Sequence, residues 1–211
     1  MLERLFAAAD QNDPAGFGRA RDAMAQLGKP PSDRQRAELM RDVYMPVSPD
    51  VGRLLYLLAR SRNAGTIVEF GTSYGNSGIH LAAALRDAGR GRLVTTELDA
   101  IKAERARENF RAAGLDDLIE IRIGDAFETL KTGIDGGIDF LLLDGWKPLY
   151  LPMLKFLEPR LSPGALILAD DLAVAPDALA SYVGYLREAS NGYVSVEVPL
   201  GDRIEISVRA P

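Results

Sequence analysis

The stretch Thr66-Ile67-Val68-Glu69-Phe70-Gly71-Thr72-Ser73-Tyr74-Gly75-Asn76-Ser77-Gly78 decides how this chain folds. It begins as a short apolar run, the pattern of a buried parallel strand. It then breaks into a loop with glycine at 71, 75 and 78. Ser77 is a candidate cap for the apolar segment Ile79 to Leu85, which has helical spacing. Strand, glycine loop and helix together turn backbone N–H groups and a helix N-terminus toward a ligand. The spacing is G-x-x-x-G-x-x-G, not the G-x-G-x-x-G of dinucleotide binders. Glu69 stands two places before the first glycine. A carboxylate there repels a pyrophosphate and suits an amino group. The stretch therefore points to a nucleoside with an amino-acid tail, such as S-adenosylmethionine (SAM).

Outward from this stretch the chain alternates. Apolar runs at Ile67–Phe70, Leu93–Glu97, Ile119–Ile123, Ile138–Leu143 and Ala165–Ala169 are separated by helical patterns at Ile79–Ala88, Ala100–Ala113, Ala126–Leu130 and Leu149–Leu161. That alternation implies a parallel sheet with right-handed crossovers. A further helix at Ala178–Glu188 precedes two strands, Val194–Pro199 and Arg203–Val208, joined by Leu200-Gly201-Asp202. The expected fold is α/β: a Rossmann-like, seven-stranded, mostly parallel sheet with one antiparallel strand, flanked by helices. Before Gly65 the chain reads as helices. One covers Leu2 to Leu27, with Pro14 starting a second short helix. Another runs from a Ser32 cap through Val43, and a third from Ser48-Pro49 to about Arg60. The reading is one domain over 1–211, with a helical cap at 1–62 and the α/β core at 63–211. The N-terminal helices either cover the ligand end of the sheet or form the arm of a homodimer.

Composition narrows the function classes. No cysteine is present, which excludes disulfides and thiolate metal sites and fits a cytoplasmic protein. A net charge of −5, without a basic cluster, argues against a nucleic-acid partner. No run is long enough to span a bilayer, so no membrane partner is expected. His80 is the sole histidine and lies in the apolar helix after the glycine loop, where it reads as a helix-face residue.

In an open parallel sheet, ligands bind at the carboxyl ends of the strands. Each apolar run here is followed there by glycine or polar groups: Gly71 and its loop, Glu97-Leu98-Asp99, Gly124-Asp125-Ala126, Asp144-Gly145-Trp146-Lys147 and Asp170-Asp171. Glu97 can accept both hydroxyls of a ribose. Asp125 can cap a helix, accept from an adenine amino group, or do both. Trp146 can wall the adenine or the substrate pocket, or simply pack. Neighbouring strands lie about 4.8 Å apart, so Asp144, Asp170 and Asp171 can share one cation. Three carboxylates at one point repel strongly without it, and with it they form a hard-oxygen site suited to Mg²⁺. Lys147, three residues beyond Asp144, becomes a general base if burial and the neighbouring cation lower its pKa.

With these residues in view, the chain resembles the cation-dependent O-methyltransferases, the class of catechol and caffeoyl-CoA O-methyltransferases. The likeness runs from about Met45 to the C-terminus. Met45-Pro46-Val47-Ser48 matches the segment that meets the methionine end of SAM. Glu69-Phe70-Gly71, with Ser73, Gly75 and Ser77, matches the SAM loop, and Glu97 the ribose-binding acid. Asp144-Gly145-Trp146-Lys147 followed by Tyr150-Leu151-Pro152 is similar to the catechol enzyme's Asp-His-Trp-Lys and Tyr-Leu-Pro. Ala169-Asp170-Asp171 is similar to its Ala-Asp-Asn. The resemblance implies donor contacts that include Val47, Leu98, Ala126 and Trp146, metal ligation by Asp144, Asp170 and Asp171, and Lys147 as base. It implies Mg²⁺ or another divalent cation, and a small aromatic hydroxyl compound as substrate. There are two departures. Asp171 stands where the family has Asn. The late glutamate that holds a catechol hydroxyl falls at Tyr193 or Val194, with Glu197 nearby. Three competing functions are a metal-independent SAM methyltransferase, an NAD-dependent oxidoreductase and a non-catalytic SAM-binding protein.

Overall fold

The computed structural model describes residues 1–210. Seven strands form one sheet: β1 (Thr66–Phe70), β2 (Arg92–Glu97), β3 (Ile119–Ile123), β4 (Ile138–Leu143), β5 (Leu161–Ala169), β6 (Tyr193–Val198) and β7 (Ile204–Arg209). Their order is β3-β2-β1-β4-β5-β7-β6. β1 to β5 pair in parallel, and β7 runs antiparallel to both β5 and β6. The fold class is the expected one. β5 starts four residues earlier than its apolar run because Leu161 pairs with Ile138 across a register irregularity.

The central strands are apolar on both faces because helices cover both. Successive side chains alternate between the two sides. Ile67, Phe140, Leu142 and Leu168 pack with Leu55 of α3 (Pro49–Arg62) and Leu81 of α4 (Asn76–Ala88). Val68, Leu141, Leu143 and Ile167 pack on the other side with Leu154 of α7 (Tyr150–Leu157) and Tyr182 of α8 (Pro176–Arg187). The short α6 (Ala126–Thr129) follows β3, and α5 (Ala100–Ala112) follows β2. The chain order reverses on either side of β1, between its neighbours β2 and β4. That switch point opens a crevice at the carboxyl ends of the strands.

The N-terminal part differs from expectation in two places. Pro14 does not begin a new helix; α1 is continuous over Leu2–Gln26. Leu5 and Ala9 are buried before the proline and Gly16 and Ala20 after it. Packing on both sides offsets the missing backbone bond, a cost of about 3 kcal/mol. α2 (Asp33–Leu39) is capped by Ser32 through a reciprocal capping box with Gln35, but it stops short of Val43. Ser48 caps α3 as its spacing indicates, its hydroxyl accepting from Val51 N at 3.3 Å. No helix among the described residues is long and apolar enough to cross a membrane.

Candidate active site

One cavity of about 1050 Å³ occupies the switch point. Its floor is the ends of β1 to β5, and its roof is α1, α2 and the segment 40–47. That is room for a nucleoside-sized ligand and a small second molecule side by side.

At the β1–β2 side, Glu97 lines the cavity with its carboxylate held by two backbone donors, Ser73 N at 3.0 Å and Asp99 N at 2.9 Å. Burial pushes its pKa up. Val47, Gly71, Ser73, Ser77, Leu98, Asp125, Ala126 and Trp146 also line the cavity. Gly71 has a φ of +97°, and a Cβ there would meet Asp144 O at 2.8 Å, so only glycine lets the β1 and β4 loops approach this closely. Asp125 does cap α6, accepting from Phe127 N at 2.8 Å, and its place in the lining keeps its adenine reading open. Trp146 lies under the Arg36 guanidinium, 5.4 Å from its ring centre.

Three sequence readings need correction here. Glu69 does not line the cavity: it is fully buried, with one oxygen taken by the Ser77 hydroxyl and the other by the Thr95 hydroxyl. Burial pushes its pKa up, and those hydroxyls act in the opposite sense. Ser77 is therefore not a helix cap. α4 begins after Gly75, and the Ser77 hydroxyl is committed to Glu69. Gly75 serves packing: its φ is +86°, and a Cβ would strike the Phe110 ring at 2.5 Å. It does not line the cavity.

The acidic rim forms as the strand ends meet. Asp144 N donates to Phe70 O at 3.0 Å and Asp170 N to Leu143 O at 3.1 Å, which fixes the two acids at the same rim. Asp171 takes a left-handed φ of +67° and donates its N–H to Asp170 Oδ1 at 2.9 Å. Lys147 stands among the acids, with Nζ 2.6 Å from Asp171 Oδ2 and 3.6 Å from Asp144 Oδ1. It also donates to Tyr150 Oη at 2.9 Å. Burial pushes Asp170 up to about 6, and the neighbouring Asp171 adds to the rise. Burial raises Asp144 well above the usual carboxylate range; Lys147 opposes this, and the other two acids reinforce it. For Lys147 burial favours the neutral amine, as expected, but the surrounding carboxylates outweigh it and the net shift is upward. The expected lowered pKa is thus not what this arrangement gives.

Among the described residues, no three carboxylate or imidazole side chains are gathered tightly enough to hold a metal ion. The donor set nevertheless fits a hard cation in its chemistry. Asp144 and Asp170 carry raised pKa values in part because the acids repel one another, and the charge now placed among them is an ammonium.

Several cavity residues carried little signal in the sequence. Asp13 resembles a surface acid of α1, yet it accepts from Tyr44 N at 2.7 Å and Met45 N at 2.9 Å and so fixes the roof. Lys102 lies three residues beyond the Asp99 cap of α5, is buried, and reaches Ser73 Oγ at 3.1 Å. Asp202, in the β6–β7 turn, lines the cavity and adds to the field that raises Asp170. Tyr193, Val194 and Glu197 do not line it. Tyr193 Oη donates to Glu158 at 2.6 Å, Val194 faces solvent, and Glu197 pairs with Arg203 and Arg187. His80 packs against Gly52, away from the cavity lining.

The chain is similar to known methyltransferases. Residues 68–172 match a family described as a methyltransferase domain. A catechol O-methyltransferase of Niastella koreensis is 37% identical over 129 residues, covering 60% of this chain and 58% of that protein. The chain thus spans less than two thirds of that relative's length. A catechol O-methyltransferase of Sus scrofa is 31% identical over 148 residues, covering 66% of this chain and 78% of that protein. The O-methyltransferase TomG of Streptomyces achromogenes, solved with SAM, superposes with a TM-score of 0.69 at 26% identity, covering 96% of this chain and 99% of TomG.

Proposed function

The chain belongs to the O-methyltransferase family that includes catechol O-methyltransferase, and from that premise we propose that it methylates one hydroxyl of a small aromatic vicinal diol, using SAM and a divalent cation. The observation that carries this reading is the continuity of one cavity from Glu97, at the nucleoside side, to the Asp144, Asp170 and Asp171 rim beside Lys147.

When bound, SAM supplies an electrophilic methyl group on sulfur. The chain's part is to fix its orientation. Glu97 accepts from ribose hydroxyls, its own geometry set by Ser73 N and Asp99 N. Leu98, Ala126 and Trp146 offer apolar walls to the base, and Asp125 an acceptor at its edge. The Gly71 loop and Val47 close on the methionine end. A divalent cation held by Asp144, Asp170 and Asp171 would supply Lewis-acid polarisation of a hydroxyl. Lys147 Nζ is the group placed to receive the acceptor's proton. Its pKa is raised by the same carboxylates, so neutralising their charge leaves burial as the dominant effect and makes the amine a better base. Cation affinity and base strength are thereby coupled at one place. Alignment of the two substrates in the cavity supplies the rest of the rate. The reading places the protein's working parts in a single domain, with residues 1–62 as the cover of the acceptor side.

The test is incubation with labelled SAM, Mg²⁺ and a panel of catechols and hydroxycinnamoyl esters. Labelled ether product that is lost in EDTA supports the reading. Transfer that persists in EDTA would mean a metal-independent methyltransferase. SAM binding without transfer to any nucleophile would mean a binding protein, and protection from heat by NADH alone would mean a dehydrogenase.

A further inference from the structure

We infer that Lys102 is a positioning residue for methyl-donor binding: through the Ser73 hydroxyl it holds the loop whose backbone aims the ribose acid Glu97. The inference rests on the donor reading above. Lys102 is 3% exposed. The acids whose field reaches it are Glu97, Asp13, Asp99 and Asp42. Three of them are engaged elsewhere: Glu97 with Ser73 N and Asp99 N, Asp13 with Tyr44 N and Met45 N, and Asp99 with Arg41. Among the described residues no carboxylate lies within ion-pairing distance of its Nζ. Its side-chain hydrogen bond goes to Ser73 Oγ at 3.1 Å, and the Tyr74 ring centre lies 5.6 Å away.

Burying an ammonium without a counter-charge beside it is costly, and burial pushes the Lys102 pKa down. A packing role alone would be filled better by an apolar chain of the same length. What the amine adds is a hold on Ser73. That residue takes a left-handed φ of +48°, which a side chain keeps only where its surroundings fix it. Its hydroxyl has one proton, which goes to Tyr44 O at 2.7 Å. The hydroxyl therefore accepts from Lys102 Nζ, and both of its directions are set. The N–H of the same residue donates to Glu97 Oε2 at 3.0 Å. Lys102 thus reaches the ribose acid through one strained residue, without touching the donor.

The experiment is calorimetric titration of the full chain with S-adenosylhomocysteine, for Lys102→Met, Glu97→Gln and the double variant, with thermal unfolding of each. Lys102→Met is expected to weaken S-adenosylhomocysteine about tenfold. It should leave the melting temperature within about 4 °C of wild type, since it also removes an unpaired buried charge. In the Glu97→Gln background the same change should alter affinity by less than about twofold, because the acid it positions is gone. Ser73→Ala should reproduce the loss of affinity, and it carries the same comparison if Lys102→Met does not fold. A loss that is equal in both backgrounds, no loss at all, or a fall in affinity matched by a large fall in melting temperature would overturn the assignment while leaving the donor reading intact. A folded wild-type protein that does not bind S-adenosylhomocysteine would overturn the donor reading itself.

Discussion

Lys147 and Asp170 show how burial and charge compete at one point. The lysine sits between Asp171 and Asp144, the second of which burial has made reluctant to ionise, and its ammonium is what they share. Asp170 titrates at about 6 in the folded chain, above its ordinary 3.8. The folded chain therefore binds that proton more tightly than the unfolded one does. Below about pH 4 both states are protonated and the acid costs nothing. The cost grows between about pH 4 and 6 and is complete above that. In EDTA, Asp170→Asn should thus raise the melting temperature at pH 8 and leave it nearly unchanged at about pH 3, below both pKa values. The gain should be on the order of 1–3 kcal/mol at pH 8. Thermal unfolding of both proteins across that range checks it, and a gain that is equal at both ends would remove the repulsion from the account. Lys147→Met should have the opposite sign at pH 8. It strips the acids of their counter-charge, so the melting temperature falls, and it falls more at pH 8 than at pH 5.

At the scale of elements, the roof is tied down by contacts between residues 29 to 58 positions apart in sequence. Asp13 holds Tyr44 N and Met45 N, the Ser73 hydroxyl donates to Tyr44 O at 2.7 Å, and Tyr74 Oη donates to Arg41 O at 3.0 Å. Arg41 in turn grips Asp99 Oδ2 through Nε at 2.9 Å and Nη2 at 2.7 Å, and Tyr44 stacks on Tyr74 with ring centres 3.9 Å apart. Since Ser73 N also holds Glu97, the roof and the ribose acid share one loop. Asp13→Ala leaves two backbone donors without their carboxylate. It should cost about 2–3 kcal/mol by urea unfolding and weaken S-adenosylhomocysteine as well. Unchanged affinity in a destabilised variant would mean that the roof shelters the cavity without shaping the donor site.

This is also the scale at which the sequence stopped being legible. The strands could be read from Ile67, Leu93 and Leu141 because apolar runs bounded by glycine and acids have few other meanings in an alternating chain. The caps at Ser32 and Ser48 were readable because hydroxyl–backbone bonds are local. Pro14 misled because its cost is set against packing from distant elements. Glu69 misled for a related reason: whether a carboxylate faces a ligand or two hydroxyls depends on Thr95, 26 residues away. Asp202 looked like an ordinary turn residue, and only the β7–β5 pairing brings it to the acids.

For the molecule as a whole, the account requires the nucleoside cleft and the acidic rim to be one site. The most direct measurement is a calorimetric titration of Mg²⁺ into the protein saturated with S-adenosylhomocysteine, for wild type and Asp144→Ala. The account predicts about one ion bound per wild-type chain, and no saturable binding in Asp144→Ala, with donor affinity nearly the same in both. Wild-type protein that shows no Mg²⁺ binding, or an Asp144→Ala variant that binds the ion as tightly as wild type, would contradict it.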